Sequence, residues 1–235
     1  MTSLAVAADA EVADLSTRQR LVAEGLRAFS TVGYDGASVR EIERAAGIGR
    51  GLVAHHFGTK DALWRECVDW LMGRFHDEFQ EQQRFLADVS PHERARVLMK
   101  VYVRFAARHP EYTRLLVLSG DQDSERVRWM VDTWIKPNFA FFNRISGTGA
   151  KVASRYEAMA VYAFIGASSM LFTLPVEARM VFGVDTGEQD FVEDFAELMV
   201  AWVGHEAPDD RGRIVSALDR AVGVAKQRTS GRKRR

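Results

Sequence analysis

The sequence predicts an all-α protein, with a three-helix helix-turn-helix unit at the N-terminus and a larger helical body behind it. Three observations carry that expectation. Apolar residues recur three and four apart along the chain, and strand-like alternation is absent. Several helix starts are written as a hydroxyl residue followed three positions later by Glu or Gln. Three short helical segments crowd into the first 60 residues, the second and third joined by a glycine-containing turn.

Taken in order, Ser16-Thr17-Arg18-Gln19 offers a capping box, and Leu21, Val22, Leu26, Phe29 and Val32 follow as one apolar stripe up to a left-handed stop at Gly33. Ser38-Val39-Arg40-Glu41 reads as a second box opening a short helix through Ala46, broken by Gly47. A third helix is expected from about Gly49 to Phe57, and Gly58-Thr59 caps a fourth beginning at Lys60. Ser90-Pro91-His92-Glu93 starts a longer helix that ends before Pro110, because proline biases His109 away from helical geometry. A short helix follows at Glu111–Ser119. The segment 124–146 is helical but carries Pro137, which predicts a kink or break. Ser154 opens a helix to about Leu174, and Thr186-Gly187-Glu188-Gln189 caps another bearing Phe195, Met199 and Trp202. A last amphipathic helix uses Ile214, Val215, Leu218 and Val222. The expected organisation is an acidic disordered arm at 1–15, the helix-turn-helix at 16–64, a helical body at 65–205, a C-terminal helix at 206–225 and a basic disordered tail at 226–235.

Bulk properties exclude several classes. A hydrophobic content of 47% is enough to bury a core, so disorder throughout is excluded. No apolar run approaches the roughly 20 residues that span a bilayer. The N-terminus carries Asp9, Glu11 and Asp14 and no early base, the wrong pattern for a secretory signal, so a cytoplasmic protein with no membrane partner is expected. Cys67 is the only cysteine, which removes an internal disulfide and a cysteine-based zinc site. Net charge is zero but unevenly spread: residues 16–64 hold seven bases against five acids, and residues 226–235 hold six bases and no acid. That tail reads either as an added DNA contact, through Arg232, Lys233, Arg234 and Arg235, or as a solubilising end.

Within the helix-turn-helix, Ile42, Ala45, Ala46, Ile48 and Val53 are small or aliphatic where two helices cross. Arg50, Gly51, Leu52, Ala54 and His55 lie off that stripe, and Gly51 lets another surface approach the backbone. The stretch SVREIERAAGIGRGLVAHHFGTKDALW resembles the signature of the TetR-like (tetracycline-repressor) family of bacterial regulators. Ser38, Ile42, Ala46-Gly47-Ile48, Gly51, His56-Phe57-Gly58, Lys60 and Leu63 fall in register with it. The likeness covers about the first 65 residues. It implies that the third helix enters the major groove of double-stranded DNA. Arg50 then reads base edges, since a guanidinium bonds guanine O6 and N7 together. Leu52 meets a thymine methyl and His55 a base or phosphate. His56 and Lys60 contact phosphates, and Arg40 touches the backbone from the second helix. Two positions depart from the pattern. Gly49 stands where the family places a capping Ser or Thr, and Ala54 where it places a phosphate-contacting aromatic.

The body is expected to bind a small-molecule effector and to dimerise. Tyr102, Phe105, Trp129, Trp134, Phe139 and Tyr162 are candidate cavity residues around Pro137; each alone reads first as core, and it is their number that points to a cavity. Ala163, Gly166, Phe195, Met199 and Trp202 are the candidate homodimer face, two late helices from each copy forming a four-helix bundle. Pairing matches a palindromic operator with half-sites about one turn, ~34 Å, apart. His55 and His56 are adjacent and diverge on a helix, so no metal is expected. Nor is a cofactor or an enzyme, since no nucleophile, acid–base or phosphate-loop arrangement is present. The expected function is a ligand-responsive transcriptional repressor. The alternative is a ligand- or partner-binding module of the same fold that no longer binds DNA.

Overall fold

The computed structural model describes residues 16–86, 88–120, 123–146 and 155–203, and every regular element among them is helical. The first helix, α1 (Thr17–Gly36), begins as expected. Ser16 Oγ accepts from the Gln19 amide at 3.3 Å, and the Ser16 amide donates to Gln19 Oε1 at 2.9 Å. Leu21, Val22, Leu26 and Phe29 bury the inner face, while Val32, expected on the same stripe, is exposed. Gly33 takes the predicted positive φ (71°), but with extended ψ the chain kinks there and winds on to Gly36.

α2 (Val39–Ala45) starts after Ser38 without the expected capping bond from that hydroxyl. α3 spans only Leu52–Phe57, three residues shorter at its start than predicted. Gly51 sits at φ 85°, a left-handed conformation that stops the helix from extending back, so Gly49 and Arg50 lie in the turn. α4 (Lys60–Phe85) is capped by Thr59, whose Oγ1 accepts from the Ala62 amide at 3.0 Å. It runs unbroken past Trp64 and is shared by the helix-turn-helix and the body. Leu63, Trp64, Cys67, Val68, Leu71, Met72, Phe75 and Phe79 form its buried face. Gly25 lets α1 approach closely: a Cβ there would stand 3.0 Å from Cys67 Sγ.

α5 (Pro91–Arg108) opens at Ser90 and closes at His109, ahead of Pro110, as the proline spacing predicts. α6 (Pro110–Gly120) packs along α1 and forms much of the joint between the two parts. α7 (Glu125–Met130) passes into a π-helical turn, Val131–Ile135, and then into α8 (Lys136–Ser146). Pro137 therefore does not break the helix. A proline ring collides with the carbonyl four residues back, and the widened turn just before it relieves that crowding.

α9 (Arg155–Thr173) ends where the sequence predicts, and α10 (Pro175–Phe182), a short helix not expected from the sequence, follows, started by Pro175 and ended at Gly183. α11 (Gln189–Val203) lays Val192, Ala196, Met199 and Val200 against α5. A bidentate Arg104–Glu193 pair (2.8 and 2.6 Å) and a Lys100–Glu197 pair tether the two helices. The guanidinium beside Glu193 holds that carboxyl below its usual range, against a smaller opposing effect of burial. Among the described residues, no single helix is long and apolar enough to cross a membrane. The arm at 1–15, Ser154, and the helix and tail expected at 206–235 lie outside the described residues.

Candidate nucleic-acid interface

α2, the turn and α3 are held against α1 and α4 by Ile42, Ala46 and Val53, all buried. Ala45, expected at the helix crossing, is exposed instead, and Glu43 turns inward at 3% exposure. Its Oε1 accepts from the Val53 amide at 2.9 Å, so a carboxylate satisfies one of the orphan N–H groups at the start of α3. Residue-by-residue reading missed Glu43, because a glutamate on a short helix is ordinarily solvent-facing. Behind the turn, Arg20 Nη1 donates to the Ala46 carbonyl at 3.2 Å and fixes α2 to α1.

The outward side carries the predicted residues. Arg40, Gly49, Arg50, Gly51, Ala54, His55 and His56 are exposed, and Leu52 is half-buried with part of its surface against the core. His55 and His56 meet edge to face, with centroids 5.0 Å apart. Lys60 is half-buried, its Nζ 4.5 Å from the centre of the Tyr34 ring. Arg44, which the motif does not single out, is exposed on the same unit.

Charge pairing separates the bases of this unit into two groups. Arg18 pairs with Glu66 at 2.7 Å and Arg27 with Glu24 at 2.6 Å, both on α1. Among the described residues, Arg40, Arg44 and Arg50 form no ion pair. Three exposed bases without an ion pair thus stand on α2 and the turn into α3, beside one exposed acid, Glu41.

The unit is joined to the body by aromatic and cationic contacts. Tyr34 stacks on Phe29 (5.9 Å) and meets Trp64 edge-on (6.4 Å). The Arg126 guanidinium of α7 lies 3.5 Å from the Tyr34 ring centre and 4.0 Å from Asp35. Burial pushes the Tyr34 phenol up in pKa, opposed by Arg126. A cleft of about 400 Å³ opens here, with Tyr34, Trp64, Leu118 and Arg126 among its walls.

The candidate effector residues do not form one group. Tyr102 and Phe105 are buried together with Phe75, Phe79 and Tyr112, Phe75 and Tyr112 stacking at 5.0 Å. Trp129 lies instead at the joint, 6.0 Å from Trp64, and Trp134 donates its indole N–H to Asp69 Oδ1 at 2.6 Å. Phe139 is half-buried, and Tyr162 is 74% exposed, outside the interior cluster. The hydroxyls of Tyr102 and Thr113 are buried without a hydrogen-bond partner. Desolvation pushes the Tyr102 phenol up to about 12, partly offset by the neighbouring Ser169 and Thr113 hydroxyls.

The candidate pairing residues also divide. Ala163 and Gly166 are exposed on α9 beside Met159, Tyr162 and Met170. Phe195 and Met199 turn inward. Phe195 meets Phe172 edge-on at 5.6 Å and Met199 is 4% exposed, because the apolar stripe of α11 is consumed by α5 and α9 of the same chain. Leu198 faces outward in their place, and the Trp202 side chain lies outside the described residues. Val176, Met180, Val181 and Phe182 extend the exposed apolar surface along α10.

Residues 21–67 match the family profile described as bacterial regulatory proteins, tetR family. The HTH-type transcriptional repressor AcnR of Corynebacterium jeikeium is 36% identical over 76 residues, 32% of this chain and 36% of that repressor. The chain thus spans little more than a third of that curated relative's length. Among solved structures, the fatty acid degradation regulator FadR of Bacillus halodurans superposes with a TM-score of 0.57 at 16% identity, over 84% of this chain and 99% of that one. FadR from Bacillus subtilis gives 0.55 at 15% identity, over 78% and 97%. At such identities the structural likeness is one of fold. Residues 21–67 are thus similar to the N-terminal helix-turn-helix segment of the tetR family of bacterial regulatory proteins.

Proposed function

We propose that the chain is a DNA-binding transcriptional repressor, acting as a two-fold dimer on a near-palindromic operator and released by a small, largely apolar effector. The observation that carries this reading is the unpaired, exposed positive charge of Arg40, Arg44 and Arg50 around a short helix whose far side is open. Arg50 reads base edges from the turn, and His55 and His56 follow on α3. Arg40 supplies phosphate contact, and Lys60 does so from the start of α4. Arg44 is added to that set.

A second copy pairs through α9 and α10, where Met159, Tyr162, Met170 and Phe182 leave a large apolar area uncovered. Ala163 and Gly166 permit close approach of the helices. The structure of FadR from Bacillus subtilis contains stearoyl-CoA. Here an apolar effector would enter the aromatic interior and meet the buried hydroxyls of Tyr102 and Thr113. The curated relative it matches is a transcriptional repressor, and regulation rather than catalysis is the proposed activity.

Selection of duplexes from random DNA by the full chain tests the reading. Enrichment of a two-fold symmetric sequence is expected. Recovery of no sequence above background would refute it.

A further inference from the structure

α3 has six residues, too few to hold its own shape, so its orientation is set by what ties it down. Val53 provides one tie by burial, at 2% exposure. Glu43 provides two more. Its main-chain carbonyl accepts from the Ile48 amide at 3.1 Å, and its side chain accepts from the Val53 amide at 2.9 Å. One residue of α2 therefore grips both the beginning of the turn and the first turn of α3.

No other side chain serves that end of the helix. Gly51, at the N-cap, has none to offer, and the helix has no side-chain capping bond there. A buried carboxylate loses its hydration. It is tolerated here because it meets the positive end of a helix and a charge-assisted N–H bond.

We propose that Glu43 is the positioning residue of the DNA-reading helix: an internal cap in place of the side chain that Gly51, at the N-cap, lacks, which sets the angle at which Arg50, His55 and His56 are presented. The DNA side of this statement rests on the function proposed above; the capping side does not. Glu43→Gln keeps an acceptor oxygen at the same reach, whereas Glu43→Ala removes it.

The experiment combines amide hydrogen exchange at Val53 with binding to a duplex selected by the unaltered chain and to an unselected duplex of equal length. Expected for Glu43→Ala is lost protection at Val53 and an affinity for the selected duplex about 3- to 30-fold weaker. Affinity for the unselected duplex, set by phosphate contacts, changes by less than about twofold. Glu43→Gln retains both protection and affinity. Unchanged Val53 protection in Glu43→Ala overturns the cap. Equal damage from Glu43→Gln, or equal losses on both duplexes, overturns the positioning role. Should Glu43→Ala fail to fold, Glu43→Gln decides alone: retained protection and affinity support the cap, and loss of either overturns it. If the unaltered chain selects no duplex, the DNA reading falls by itself, and exchange at Val53 still settles the cap.

Discussion

Cys67 sits in the seam between α1 and α4, fully buried, its thiol donating to the Val22 carbonyl at 3.4 Å. Burial pushes its ionisation far above the usual thiol range. Since the thiolate is the reactive form, the native chain is expected to resist an aromatic disulfide reagent at mildly alkaline pH and to react once denatured. Rapid labelling of the native protein would mean the seam opens. At the other extreme of exposure, Arg50→Ala is expected to weaken binding to the selected duplex by about 1–3 kcal/mol while leaving the dimer intact. Equal affinity in a titration would remove Arg50 as a reader. The exposed position of Arg50 was legible in the sequence because it sits in a spaced motif. Glu43 was not, because its burial depends on an amide ten residues away. Gly49 and Gly51 were the available signal: neither offers a capping side chain, which leaves an orphan N–H that needs an acceptor from elsewhere.

Elements were legible where local chemistry decides them. Ser16, Thr59 and Ser90 cap their helices as their spacing predicts, and the proline at 110 ends α5 on time. Prediction from spacing fell short where the outcome depends on neighbours. The start of α3 moved to Leu52 because of one left-handed glycine, and Pro137 was absorbed by a π-helical turn. The apolar stripe of α11 was visible, but which partner would cover it was not. Periodicity names a buried face without naming what buries it, and here α5 takes Met199. The joint between the helix-turn-helix and the body runs through Tyr34, with Arg126 reaching across from α7. Arg126→Ala is expected to lower unfolding stability by about 1 kcal/mol in urea titration. No change in the midpoint would show that the contact does not fasten the two parts together.

At the scale of the whole molecule, one recognition surface would read few bases, and the proposed pairing would double it. In that proposed assembly, the exposed residues of α9 and α10 are the surface on which pairing depends. Met170→Glu places a charge on it and is expected to yield a monomer by sedimentation, with affinity for the selected duplex reduced roughly tenfold or more. A persistent dimer would put the interface elsewhere. Conformational coupling follows from the same geometry. α4 runs from the cap beside α3 into the aromatic interior, so in the proposed dimer an effector that shifted its far end would change the separation of the two recognition helices.

The most direct measurement uses the buried state of the native cysteine. With Cys67 protected, Ala54→Cys, exposed on α3 and assigned no base contact, offers a single reactive thiol, to which a DNA-cleaving metal chelate is attached. On the selected duplex, two cleavage clusters are predicted, facing the major groove and related by two-fold symmetry about one helical turn, ~34 Å, apart. A single cluster, or a cleavage pattern no different from that on unselected DNA, would contradict a groove-reading element carried by each of two paired subunits.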